Sequence, residues 1–344
     1  MITKRKLMGL VAGSVMAAAM GTTAMAQDVT LKLHQFLPAQ ANVPKLVLEP
    51  WAKRVEEASG GKIKIDHYPS MQLGGKPPEL ADQVKDGVAD IVWTVLGYTP
   101  GRFPQSEVFE LPFAMTNAEA TSRAFWQYAQ ANMMDKDFRD YKILAVHVHG
   151  PGLIHSKDPI RSVKDLNGVK LRAPTRITNI LFTQLGATPV GMPVPAVPEA
   201  LSKGVIDATV IPWEVTGSLK VPELVHNHTE FPGASLYTTA FMIAMNKDKY
   251  DSLPDDLKAA IDSQSGEEFS ALAGKLMEGA DAPSREAAVA LGNNIIELSE
   301  AEVQEWKDAS AGIEAQWIDE MTKIGFDGQA LVDQAKALIQ ENTK

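Results

Sequence analysis

Apolar positions recur along this chain in two rhythms. Residues 29–34 alternate apolar and polar side chains, the period of a strand with one buried face. Residues 35–42 break the pattern as a loop. Apolar residues then return every three or four positions over 43–59, a helix that Gly60-Gly61 closes. Alternation resumes at 62–68, a helix is expected over 77–86 up to Gly87, and 91–95 is a short buried strand. Strand, helix, strand, helix, strand predicts an α/β unit with a largely parallel sheet. A helix over 117–132 and a strand over 142–149 follow, and Gly150-Pro151-Gly152 interrupts the chain.

A second set of short elements comes next. Ser162 can cap a turn of helix over 162–166, strands are expected at 169–172 and 208–211, and helices at 177–185 and 195–202. Residues 241–245 read as a strand that returns to the first sheet. From Leu253 onward the pattern is helical, over 254–291, 299–323 and finally 328–339. Ser299 followed by Glu302 is the spacing of a capping box.

The first 26 residues fit neither rhythm. Lys4, Arg5 and Lys6 precede an apolar run from Leu7 to Met20, and Ala24-Met25-Ala26 supplies the small-x-small pattern of a cleavage site. That is the anatomy of a secretory signal peptide. The run is short for a bilayer, which needs about 20 apolar residues. Cleavage after Ala26 and a periplasmic location are therefore expected, rather than an N-terminal anchor. No later segment has the length and apolarity of a span, so stable membrane insertion is not expected.

Composition narrows the partners. The chain has 344 residues, enough for about two domains. It carries 43 acidic against 33 basic residues, and three of the basic ones lie in the leading segment. Such a surface repels nucleic acid and anionic lipid. There is no cysteine, which excludes thiolate metal sites and cysteine nucleophiles. His147 and His149, like His226 and His228, are spaced by two, but neither pair has further ligands in an obvious pattern. Structural roles are expected for both, with no metal and no cofactor.

An enzyme reading finds little support. There is no Gly-x-Ser-x-Gly elbow and no His-Glu-x-x-His, and Gly74-Gly75 is not followed by the Lys-Ser/Thr of a phosphate loop. An exported hydrolase remains one alternative and the binding protein of an ATP-driven importer another.

Several segments together resemble a known family. They are Met71-Gln-Leu-Gly-Gly75, Val84-Lys-Asp-Gly-Val-Ala-Asp-Ile91 and Glu110-Leu-Pro-Phe113 in the first half. In the second half they are Lys164-Asp-Leu-Asn-Gly-Val-Lys-Leu-Arg172, Leu185-Gly-Ala-Thr-Pro189 and Glu199-Ala-Leu-Ser-Lys-Gly-Val-Ile-Asp207. In this combination and order the chain resembles the DctP-type solute-binding proteins of TRAP (tripartite ATP-independent periplasmic) transporters. The resemblance implies a two-lobed α/β periplasmic binding protein with a hinge, crossing strands and a long bridging C-terminal helix. It places lobe I at 27–149 plus about 238–280, and lobe II at 150–237 plus about 281–344. It also implies closure around one small solute, docking on TRAP membrane permease subunits, and no catalysis.

Arg172 matches the family's ligand arginine, and a guanidinium presents a planar fork that fits a carboxylate. Two departures reduce polar grip. Ile211 stands where many relatives carry asparagine, and 150–154 lacks the arginine that relatives taking dicarboxylates or sialic acids often have. Aromatic residues sit at strand ends, where open α/β sheets bind ligands: Phe36, Trp93, Tyr98 and Trp213. Core packing is the other reading of these rings, and it is open for Trp93 in particular. Trp213 is expected in the cleft because Pro212 and Glu214 flank it in a turn. Arg102, on the Gly/Pro loop after the third strand, is either a second cleft cation or a solvated loop residue. Gln35, Tyr237 and Phe241 complete the candidates. One cation among several rings suits a monocarboxylate with an apolar or aromatic body.

Overall fold

Residues 29–343 are described by the structure, a computed structural model, and the expected signal segment and its cleavage site lie outside them. The alternating segments Val29–His34 (β1) and Ile63–Tyr68 (β2) and the buried run Ile91–Val95 (β3) form one sheet with Tyr141–Val148 (β4). Between β3 and β4 in that sheet lies a strand from much later in the chain, Ala240–Asn246 (here β10). The order is β2-β1-β3-β10-β4. β1 is parallel to both β2 and β3, as the strand–helix alternation requires, and β10 runs antiparallel to β3 and β4.

A second sheet is built from Leu153–Ser156 (β5), Lys170–Ala173 (β6), Thr188–Gly191 (β7), Ala208–Ile211 (β8), Asn227–Glu230 (β9) and Asn294–Glu297 (β11). Its order is β11-β9-β5-β8-β6-β7. The chain therefore crosses between sheets after β4, through Gly150-Pro151-Gly152, and again between β9 and β10. The strands expected at 169–172, 208–211 and 241–245 are in place. β5, β7, β9 and β11, of four residues each, were not among the expected strands.

The expected 43–59 helix opens as a wide turn over Pro44–Leu48, where the Glu49 N–H reaches back to the Pro44 carbonyl, and runs as an α-helix over Glu49–Ala58. Pro50 has no N–H for the ordinary ladder, which accounts for the altered register. The 254–291 pattern is three helices, Asp255–Asp262, Glu267–Gly279 and Asp281–Ala290. The first break falls at Gly266, whose φ of 96° favours glycine and whose N–H bonds to the Leu144 carbonyl. The bridge between the two halves is thus a pair of helices meeting at Ala280. Glu267–Gly279 packs on the helix Ala118–Asn132 and on β4, and Asp281–Ala290 on the short helix Trp213–Thr216. The 299–323 pattern likewise divides, into Glu300–Ser310 with the expected Ser299 capping box, and Gly312–Lys323.

One expected boundary is corrected. The last helix, Gly328–Asn342, packs on Ala118–Asn132 and so sits with the first sheet, not with the second. Asn132 donates to Gln334 at 3.0 Å and Asn342 to Gln127 at 2.9 Å along that seam. The period of the helix gave its apolar face but not the surface that face would meet.

The helices Glu267–Gly279 and Ala118–Asn132 approach closely. A Cβ added at Gly274 would lie 2.3 Å from the Ala118 carbonyl oxygen and 2.3 Å from Ser122 Oγ. Ser122 Oγ in turn accepts the Val148 N–H at 3.0 Å, so helix, helix and sheet are locked at one point. Gly274→Ala is expected to destabilise the protein by about 1–3 kcal/mol, as overpacking does. Urea unfolding measures it, and an unchanged midpoint would show that the two helices can separate without loss.

Candidate functional site

Arg172 is the next-to-last residue of β6, in register with Val190 on β7 and Thr209 on β8. Its side chain is 2% exposed. Nε donates to the Met192 carbonyl at 2.9 Å, Nη1 to the Val210 carbonyl at 3.0 Å and Nη2 to the Tyr98 hydroxyl at 3.5 Å. All three acceptors are neutral, and no carboxylate pairs with this guanidinium among the described residues. Of its five N–H donors, two are left over. A lone buried charge costs several kcal/mol, so the arrangement is complete only with an anion present.

A small cavity lies in front of it. Tyr98, just after β3, reaches across from the first sheet's loops. Its hydroxyl accepts the Val194 N–H at 2.9 Å as well as the Arg172 contact, which leaves its own O–H to donate. Tyr237 follows β9, and its ring rests on Gly152, where an added Cβ would lie 2.1 Å from the ring. The Tyr237 hydroxyl has no protein partner among the described residues. Burial pushes both phenols above the usual tyrosine range, while the Arg172 charge opposes that rise. Both remain protonated donors at neutral pH.

The opposite wall is a stack of rings. β3, β10 and β4 lie side by side, so Trp93, Phe241 and His147 stack across neighbouring strands. Trp93–Phe241 and Phe241–His147 centroids are each 5.0 Å apart with nearly parallel planes, and Phe36 stacks on Trp93 at 4.7 Å. Trp93 Nε1 donates to His147 Nε2 at 2.9 Å, which fixes that nitrogen as the acceptor. Burial pushes His147 down to about 3 and His149 to about 4, so both rings are neutral. His149 Nδ1 bonds to the Gly150 carbonyl at 2.5 Å.

Six sequence candidates therefore line one cavity: Phe36, Trp93, Tyr98, Arg172, Tyr237 and Phe241. Three do not. Trp213 is buried elsewhere, with Nε1 donating to Glu230 at 2.7 Å and its ring against His155 and His228, because the helical turn it starts rotates it away from its neighbours Pro212 and Glu214. Arg102 is held by Asp82 at 2.6 Å on the outer face of the first sheet's helices, the solvated-loop alternative. Gln35 folds back on its own loop, donating to the Leu37 carbonyl at 2.8 Å, accepting the Leu37 N–H and meeting His67 Nε2 at 3.1 Å.

Comparison with known proteins accords with this architecture. Residues 35–320 match the family described as bacterial extracellular solute-binding protein, family 7 (DctP). The chain belongs to this family. The structure of a TRAP solute-binding protein from Rhodoferax ferrireducens, in complex with copurified benzoate, is 49% identical to it. That match covers 92% of this chain and 98% of the other, with a TM-score of 0.90. A marine metagenome TRAP solute-binding protein described as specific for aromatic acid ligands, in complex with 3-hydroxybenzoate, is 50% identical over 93% of this chain and all of the other, TM-score 0.90. Among characterised sequences, TsaT of Comamonas testosteroni, described as an outer membrane transporter protein, is 28% identical over 96% of this chain and 97% of its own length.

In this DctP-family protein the sequence reading missed His149, Val194, Thr239, Glu214 and Met277, which also line the cavity. His149 carried a signal, its spacing of two from His147 at a strand end, but it was read as packing. Val194 and Met277 carried none, since an apolar residue in a wall looks like one in a core. Beneath the tyrosines lies Glu110, whose Oε1 accepts the Ala240 N–H at 3.1 Å. Burial pushes its carboxyl up to about 8, so it does not neutralise Arg172. A carboxyl raised in this way stays protonated in the folded chain while the unfolded chain has ionised, so stability falls as pH rises from the ordinary carboxylate range to about 8. Relative to wild type, the melting temperature of ligand-free Glu110→Gln is expected to rise by a few degrees from about pH 5 to about pH 8. A constant difference would show that Glu110 is already ionised in the fold.

Proposed function

We propose that this protein captures a monocarboxylate with an aromatic body in the periplasm and delivers it to TRAP membrane permease subunits, without chemical change. The observation that carries the reading is the Arg172 guanidinium, buried, free of any carboxylate partner among the described residues, and facing a ring-walled cavity. The benzoate and 3-hydroxybenzoate held by neighbours of about half identity support it. The carboxylate takes the two unused Arg172 N–H groups and the O–H groups of Tyr98 and Tyr237. The body of the ligand lies along Phe36, Trp93 and Phe241, where aromatic pairs contribute about 0.5–1.5 kcal/mol beyond area burial.

Closure of two hinged lobes completes the site. Contacts between the two halves are made by Tyr98 with Val194, by Asn42 Nδ2 with the Glu214 carbonyl at 2.6 Å, and by Arg176 with Glu107 at 2.9 Å. Gly97 permits the approach, since a Cβ there would lie 2.5 Å from Thr175 Cγ2. The solute favours the closed form through contacts it makes only there. Export with cleavage after Ala26 belongs to the same proposal, and the mass of the mature protein tests it.

Calorimetry with benzoate tests the ligand class. Arg172→Ala is expected to weaken binding by about tenfold or more, roughly 1.4 kcal/mol. Unchanged affinity would contradict the role of Arg172. Succinate is expected to bind about a hundredfold more weakly than benzoate, because its second charge would be buried against rings without a partner. Equal affinities would contradict the aromatic assignment.

A further inference from the structure

One polar group of the cavity is not used by the carboxylate clamp. Glu214 follows β8 on the short helix Trp213–Thr216, lines the cavity and is 3% exposed. Its backbone is fixed on both sides, the N–H donating to Asp281 Oδ1 at 2.7 Å and the carbonyl accepting from Asn42. Its side-chain Oε2, by contrast, is buried with no hydrogen-bond partner. Buried polar atoms in folded proteins are nearly always paired, and an orphan in a binding cavity marks a place where a ligand atom completes the set.

The Arg172 charge acts on Tyr98, Tyr237 and His149. Glu214 responds instead to Asp281 and Asn42, with burial the largest effect. On the cavity wall it stands with Pro212 and Val215. Burial and the neighbouring Asp281 carboxyl push Glu214 up to about 8, so at neutral pH it offers both an O–H donor and a carbonyl acceptor.

We propose that Glu214 recognises a hydroxyl group on the aromatic body, so that hydroxylated aromatic acids are preferred over the bare ring acid. This rests on the carboxylate reading of Arg172 and adds a second anchor to it. A site built to hydrogen-bond a hydroxyl discriminates strongly against the analogue that lacks one, because the protein group is then left unpaired.

Calorimetry on the intact mature protein, with benzoate and its 2-, 3- and 4-hydroxy derivatives, tests the proposal. The better of the 3- and 4-hydroxy acids is expected to bind about tenfold or more tightly than benzoate, and the 2-hydroxy acid, whose hydroxyl lies beside the carboxylate, to gain nothing. Glu214→Leu is expected to abolish the preference, read as the ratio of hydroxy-acid to benzoate affinity within the variant, and Glu214→Gln, which keeps a donor and an acceptor, to retain most of it. A measurement on the ligand side is independent of how either variant folds: 3- and 4-fluorobenzoate, similar in outline but without the O–H donor, should bind no better than benzoate. A preference that survives in Glu214→Leu, or that the fluoro acids share, overturns the role of Glu214. Benzoate binding with no hydroxyl preference overturns this proposal alone, whereas failure of all the aromatic acids to bind overturns the carboxylate reading as well.

Discussion

A guanidinium taken out of water without a countercharge is the constraint around which this fold is arranged. Removing such an ion from water costs several kcal/mol. Hydrogen bonds to charged groups contribute about 1.5–3 kcal/mol each. Arg172 makes two good ones, to the Met192 and Val210 carbonyls, and a long one to Tyr98. These offset much of the desolvation and hold the fork in one orientation, but supply no negative charge. In the proposed function that deficit is what an organic anion fills. Acids that could have filled it are kept out: Glu110 is neutralised by burial, and Glu107 is bound to Arg176.

The same constraint couples binding to shape. Two of the three acceptors on Arg172 are backbone carbonyls of the second sheet's half, whereas Tyr98 comes from the first. Tyr98 also receives the Val194 N–H, so one phenol joins the cation, the second sheet's loop and the first sheet. Opening the lobes would expose Arg172 to water and remove Tyr98 from it. Closing them without an anion leaves the charge unmatched. On the proposed function, selectivity between the two forms comes from this electrostatic deficit, and the ring wall sets which anions meet it.

Much of this was legible in the sequence, and the reasons are local. The alternating runs at β1 and β2 and the buried run at β3 were long enough for their periods to show, and they fixed a parallel α/β unit. Arg172 was picked out by the motif around it, and Phe36, Trp93, Tyr98, Tyr237 and Phe241 by their positions at strand ends and returning strands; the fold brings these six to one cavity. Trp213 lies outside that cavity because one residue of helical rotation decides which way a side chain points, and its flanking residues do not report rotation. Arg102 and Gln35 failed because their partners, Asp82 and the Leu37 backbone, satisfy them locally. The four-residue strands β5, β7, β9 and β11 exist through pairing with neighbours distant in sequence. Glu214 was quoted only as a neighbour of Trp213, yet it is the one of the pair that meets the cavity.

The most direct test of the central claim is a crystal structure of the mature protein with benzoate bound. The account expects both carboxylate oxygens within hydrogen-bonding distance of Arg172, Tyr98 or Tyr237, and the ring against Trp93 and Phe241. A closed complex in which the carboxylate lies away from Arg172, or in which that guanidinium turns into solvent, would contradict it.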